Sequence, residues 1–191
     1  MCRRGAWLEP AVRRSPGWPL FKGGLHGLFY FSDMQALKKC ITIVATGLGT
    51  GYLPVSGTVA SLLAVLLYLP FAFLNSAHNA LFLFYLSFTF FLTGLSVWTS
   101  TLMEKWLGEK DPHKVVIDEI AGYFYAMMLL PTTPLYLGSA FVLFRIFDVW
   151  KPFPIRASQK LPGGIGITID DVLAGIYSCV LIHTFRFLFL N

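Results

Sequence analysis

In 191 residues the chain is 55% hydrophobic and 16% aromatic but only 13% charged. Soluble domains carry about 25% charged residues, so this balance argues against a water-soluble globule and for an all-α, polytopic integral membrane bundle of about four to five short transmembrane or re-entrant helices. The net charge of +5 is spread over loops rather than gathered in one stripe, which suits anionic lipid head groups and not a nucleic-acid surface. Cys2, Cys40 and Cys179 show no metal-ligand spacing and suggest neither a zinc site nor a disulfide framework.

Residues 1–33 hold Arg3, Arg4, Arg13, Arg14 and Lys22 with three prolines and no long apolar run. A signal peptide needs an apolar core of about 7–15 residues, so this stretch is expected to be a basic leader, disordered or interfacial, or the product of a start called ahead of Met34. The membrane-embedded domain is expected over 34–191. Within it, Cys40 to Val55 is broken by Gly47, Gly49, Gly51 and Pro54 and predicts a loop or re-entrant turn. Thr58–Leu74, Ala80–Met103, Ile117–Leu130, Leu135–Trp150 and Val172–Leu190 are the candidate helices. The third and fourth are short against the roughly 17–25 residues of a full span, and can tilt or form a re-entrant pair about the Pro131–Pro134 turn.

Loop charge sets an orientation. Lys38 and Lys39 precede the first helix, Lys105, Lys110 and Lys114 follow the second, and Lys151, Arg156 and Lys160 follow the fourth. The Asn75–Asn79 and Pro131–Pro134 turns carry no Lys or Arg. The alternation places the basic loops in the cytoplasm, with Arg186 near the C-terminus as the one discordant charge.

That topology gathers five of the ten acidic residues on one side: Asp118, Glu119, Asp148, Asp170 and Asp171. A carboxylate near the centre of a membrane helix costs roughly 2.5–3.5 kcal/mol, less at the interface, so their clustering calls for a reason. In Ile117-Asp118-Glu119-Ile120-Ala121-Gly122, Asp118 shares a helix face with Gly122 one turn on. Dipole stabilisation at a helix start accounts for one such pair at about 0.3–1 kcal/mol. It does not account for a second, Asp170-Asp171, with Ala174 and Gly175 one turn later. Gly163, Gly164 and Gly166 lie upstream and permit close approach of a phosphate; Thr168 to Asp171 loosely fits a capping box. Arg145 and Asp148 are i, i+3 neighbours, with Lys151 a turn beyond. They form either a structural ion pair or a phosphate clamp. Ser56, Gly57 and Thr58 open a helix and either cap it or offer N–H groups to an anion. His113 is the histidine nearest the acids in sequence and is a possible general acid or base.

Several carboxylates without a Cys or His cluster favour a hard cation bound by oxygen, Mg²⁺ first. Such a metal polarises a phosphoryl oxygen while Arg and Lys hold the transferred group's charge. The chemistry suggested is phosphoryl hydrolysis or transfer on a membrane phospholipid.

Four segments in order, GLGTGYLPVSGT, IDEIAG, FRIFDVWKPFPI and GGIGITIDDVLAG, together span Gly47 to Gly175. This set resembles the phosphatidylglycerophosphatase A family of bacterial membrane lipid phosphatases. The resemblance implies Mg²⁺-dependent removal of the terminal phosphate of phosphatidylglycerophosphate at a bacterial inner membrane. The family usually has Pro-Gly-Thr where this chain has Ser56-Gly57-Thr58, and often Gly where it has Ala60. On this reading Asp118, Glu119, Asp170 and Asp171 hold Mg²⁺ and position the attacking water. Asp148 is a further ligand or the base, and Arg145, Lys151, Gly57, Thr58, Gly163 and Gly164 meet the substrate. Two other classes remain. A CDP-alcohol phosphotransferase needs DGxxAR followed by GxxxDxxxD, which is absent. A small transporter needs polar groups near mid-membrane, whereas here they collect at one interface. Oligomeric state leaves no mark on the sequence.

Overall fold

The computed structural model describes residues 25–74 and 79–189, with side chains over 34–71 and 82–189. The chain divides into two compact units, Met1–Ala36 and Leu37–Asn191; α1 begins in the first, and the packing and the site described below lie in the second. Residues 1–24 of the expected leader fall outside the described residues. Among the described residues there are helices and no strand: α1 (Leu25–Ala45), α2 (Ser56–Leu74), α3 (Asn79–Leu107), α4 (Ile117–Ala126), α5 (Pro134–Trp150), α6 (Ile155–Ser158) and α7 (Gly164–Phe189). A single 3-10 turn, Thr50–Tyr52, interrupts the glycine-rich segment where a turn is expected. Two stretches are long and apolar enough to cross a membrane: Phe82–Leu107 of α3, and α7.

α7 packs against α3, α4, α5 and α6, and α4 is held between α2, α3, α5 and α7. Nine of the ten residues of α4 are buried, so this short helix is a core element rather than a lipid-facing one. An aromatic cluster fixes one side of it. Tyr68 meets Tyr85, Tyr123 and Phe124 edge-on, and Phe71 stacks on Phe88. The Tyr85 hydroxyl donates to the Phe124 carbonyl. Beyond α4 the chain turns through Leu129 at φ 59°, and the Met128 carbonyl accepts from Cys179 Sγ (3.2 Å) and lies 3.1 Å from His183 Nε2. Those two α7 side chains satisfy an acceptor that the ended helix leaves without a partner of its own.

At the α4–α7 crossing the two helix backbones come into direct contact. A Cβ on Gly175 would run into the Gly122 carbonyl, and one on Gly122 would lie 2.7 Å from the Asp171 carbonyl and 2.6 Å from Phe144. Small residues at a crossing let two helix backbones touch and gain close van der Waals contact.

Three boundaries stand out against expectation. α1 runs through Ala45, so Cys40–Ala45 of the expected loop is helical, because the glycines that break the segment begin only at Gly47. α4 stops at Ala126, short of Leu130. α7 starts at Gly164, about two turns before Val172, so Asp170 and Asp171 sit inside a helix and not at its start. The upstream glycines are packing residues. Gly163 turns the chain at φ 62°, Gly164 N–H donates to Thr101 Oγ1 at 2.9 Å, and a Cβ on Gly164 would strike the Val97 carbonyl of α3. Thr168 makes no cap. Its hydroxyl pairs with Ser96 Oγ of α3 at 2.8 Å.

Gly175→Val is expected to lower the thermal unfolding midpoint of the detergent-solubilised protein, at about 1–3 kcal/mol or more for overpacking a filled site. Gly138→Ala, where a Cβ meets nothing within 4 Å, should leave it unchanged or raise it slightly by stiffening the unfolded chain.

Candidate active site

Asp118 and Glu119 occupy the first turn of α4, and the glycine crossing one turn later lays this motif beside Asp171 of α7. Asp118, Glu119 and Asp171 each bring a carboxylate oxygen within 4.8 Å of the others. That convergence is what the repeated acid-then-glycine spacing produces when Gly122 and Gly175 touch. Asp118 and Asp171 are buried and Glu119 is partly so. Asp118 Oδ1, Glu119 Oε2 and Asp171 Oδ2 have no hydrogen-bond partner. Buried polar atoms are nearly always satisfied, so three neighbouring carboxylates that each keep an unsatisfied oxygen fit a cation held by oxygen. The same three residues are part of the metal set expected from sequence.

Asp170, the fourth member of that expected set, is engaged elsewhere. Its Oδ2 accepts from Lys151 Nζ at 2.5 Å and from Gln159 Nε2 at 3.0 Å, while Oδ1 is buried without a partner. Asp148, expected as a further ligand or the base, is paired with cations in the structure. Its Oδ2 binds Arg145 Nη1 at 2.5 Å and its Oδ1 lies 3.6 Å from Lys151 Nζ, so both oxygens serve to hold cations. The predicted i, i+3 pair is therefore present. Lys151 caps α5 in the left-handed conformation at φ 48°, with its N–H on the Phe147 carbonyl at 2.8 Å. A non-glycine residue held there costs on the order of 1–3 kcal/mol. The bend sets its ammonium between Asp148 and Asp170. Burial alone would lower the Lys151 ammonium's pKa. The hydrogen bond and charge of Asp170, then Asp171 and Asp148, more than offset burial and hold it above its ordinary value.

These groups line a polar cavity of about 220 Å³ with Ser56, Gly57, Asp111, His113 and Val115. Six carboxylates thus face one guanidinium and one ammonium. A phosphate dianion would be repelled by that excess of negative charge, and a divalent cation among the carboxylates would reduce the excess and place positive charge beside them. Gly57 sits in the first turn of α2, where a Cβ would lie 2.6 Å from Glu119 Oε1 and 2.9 Å from Arg145 Nη1. Of the other expected substrate contacts, Thr58 does not line the cavity, and Gly163 and Gly164 face Thr101 of α3. Sequence reasoning missed Asp111 and Gln159. They lie in polar loops with no helical spacing to tie them to the acidic pairs.

Residues 43–186 match the family model described as Phosphatidylglycerophosphatase A. The chain belongs to the phosphatidylglycerophosphatase A family. A Haemophilus influenzae protein named phosphatidylglycerophosphatase A is 35% identical over 155 residues, covering 80% of this chain and 92% of the relative. The Escherichia coli protein of the same name is 34% identical over 146 residues, covering 74% and 80%. A Bacteroides thetaiotaomicron protein named "Putative phosphatidylinositol-3-phosphatase" is 36% identical over 148 residues, covering 75% and 92%. No solved structure matches the chain at a significant level. The matched region contains the whole cavity, so family membership and the carboxylate site concern the same residues.

Gly57→Ala is expected to cut phosphate-ester turnover about ten- to hundredfold, because displacing a positioned group by about 1 Å has effects of that size. The thermal midpoint should barely move. Wild-type turnover in this variant would show that Glu119 and Arg145 do not need that space.

Proposed function

We propose that this protein is a membrane enzyme that hydrolyses the terminal phosphate of phosphatidylglycerophosphate to give phosphatidylglycerol and inorganic phosphate. The observation that carries the reading is the meeting of Asp118, Glu119 and Asp171 within 4.8 Å of one another in a cavity that also holds Arg145 and Lys151. Family membership supplies the substrate.

In the finer reading Asp118, Glu119 and Asp171 hold Mg²⁺. When bound, the cation supplies positive charge to the phosphoryl oxygens. Arg145, with Lys151 beside it, takes the remaining phosphoryl oxygens, and Asp148 keeps both cations pointed inward. Asp170 is oriented through Oδ2 by Lys151 and Gln159, which leaves Oδ1 to accept a proton from the attacking water. The water oxygen bonds to phosphorus as the ester P–O bond breaks. The bonding pair leaves on the glycerol oxygen, which takes up a proton to become the free hydroxyl of phosphatidylglycerol.

The same proposal places the protein in a bacterial inner membrane as a multi-pass bundle of four to five spanning or re-entrant helices, with the cavity toward the cytoplasm. The apolar stretches of α3 and α7 support membrane integration, and the alternation of basic and neutral loops supports the orientation. A second reading, hydrolysis of another lipid phosphomonoester, is favoured by the Bacteroides relative's name.

Detergent-purified protein is expected to release phosphate from phosphatidylglycerophosphate with Mg²⁺ and to stop when chelator is added. Asp171→Asn should reduce turnover by about a thousandfold or more at an unchanged thermal midpoint, since the loss falls on transition-state charge stabilisation. Phosphate release that persists in chelator would remove the metal from the reaction.

A further inference from the structure

The cavity has a rim that the reaction above does not use. Asp118, Glu119, Asp148, Asp170, Asp171, Arg145 and Lys151 are all committed to the cation or the phosphate. Asp111 and His113 are not, yet both line the same cavity. Neither side chain has a hydrogen-bond or ion-pair partner among the described residues, and both are exposed.

The backbone that carries them is firmly held. Val116 N–H donates to the Ala45 carbonyl at 2.9 Å, Val115 N–H to the Pro112 carbonyl at 2.8 Å, and Ser56 Oγ to the His113 carbonyl at 3.1 Å. Gly51 packs so closely on Lys114 that a Cβ would strike its carbonyl. Pro112, buried between the two side chains, restricts the backbone further. Asp111 itself takes φ 53°, an uncommon conformation for a residue with a side chain. The segment is thus built rigidly and still presents a carboxylate and an imidazole with nothing inside the protein to bind. Beneath them, the unpartnered buried oxygens of Asp118, Glu119 and Asp171 mark the same cavity as made for a ligand.

We propose that Asp111 and His113, with Ser56 beside them, form a subsite for a free hydroxyl on the carbon next to the one carrying the scissile phosphate ester. The inference rests on the phosphatase reading and names the part of the substrate that reading leaves unheld. In phosphatidylglycerophosphate the leaving group is a glycerol whose central carbon bears such a hydroxyl. With the phosphate on Arg145 and the carboxylate triad, the leaving group must run toward the rim. The hydroxyl donates to the Asp111 carboxylate, and an imidazole N–H of His113 donates to its oxygen. Phosphatidic acid carries an acyl ester at that carbon and can donate nothing. The same chemistry would accept a phosphorylated inositol, whose neighbouring carbons also bear hydroxyls, so the subsite defines a class of polyol head groups.

The test compares kcat/KM for three vesicle-borne esters: phosphatidylglycerophosphate, its analogue lacking the central glycerol hydroxyl, and phosphatidylinositol 3-phosphate. Wild type should prefer the first to the deoxy analogue by about tenfold or more, as expected where a site is built to hydrogen-bond a substrate hydroxyl. Asp111→Ala and His113→Ala should each shrink that ratio toward one, with thermal midpoints within a degree or two of wild type. Turnover of the inositol lipid that falls in step with phosphatidylglycerophosphate would extend the subsite to both polyols; turnover unaffected in both variants would confine it to glycerol. An active wild type with no preference overturns the subsite and leaves the phosphatase reading intact. So does an equal loss on both glycerol esters in the variants. Inactivity of wild type on all three esters overturns the phosphatase reading and the subsite with it.

Discussion

The contact between Gly122 of α4 and Gly175 of α7 is the constraint on which the site depends. Each glycine lies one turn after a carboxylate, Asp118 in one helix and Asp171 in the other. When the two backbones touch, those carboxylates are brought side by side with no freedom to separate. Any side chain at either glycine would push the helices apart and spread the carboxylates that the proposed cation would have to bridge. The rest of the bundle serves this contact. Tyr68 of α2 and Tyr85 of α3 pack on Phe124 of α4, and Cys179 and His183 of α7 attend to the carbonyl left where α4 ends.

Bringing like charges together has a cost that the surrounding residues partly offset. Arg145 and Lys151 do not meet the triad directly in the structure. They are held by Asp148 and Asp170, which form a second layer of charge beside it. The left-handed cap at Lys151 belongs to this arrangement, since a helix continuing past Trp150 would carry the ammonium along α5 and away from Asp170. Buried ion pairs contribute little net stability on average, because desolvation opposes their attraction. Here their geometry is better understood as positioning. Two cations are kept near the mouth of a cavity whose carboxylates outnumber them.

Much of this was legible in the sequence because helical spacing converts directly into shared faces. The repeated acid-then-small pattern put Asp118, Glu119, Asp170 and Asp171 in one set, of which three converge, and the i, i+3 spacing gave the Arg145–Asp148 ion pair. The turn at Pro131–Pro134 and a break at the Gly47–Pro54 stretch followed from proline and glycine chemistry, though the helix before that break was missed. What escaped had no such periodic signal. Glycines are ambiguous between ligand approach and close packing, so Gly164 and Gly166 read as an upstream phosphate approach when they are the early turns of α7. Asp111 and Gln159 reach the acidic groups from loops, and loop residues are brought to a site by tertiary structure that no local period encodes.

The distinction between Asp170 and Asp171 shows how adjacent identical residues acquire different work. On a helix they point about 100° apart. Asp171 faces α4 and joins the carboxylates that have no partner, whereas Asp170 faces the Lys151 cap and the α6 region, where Gln159 meets it. A carboxylate with one oxygen fixed by two donors and the other bare cannot rotate freely, and the proposed role of Asp170 as proton acceptor rests on that. The difference between the two residues lies in the elements that α7 meets on its two sides and not in the Asp-Asp pair itself.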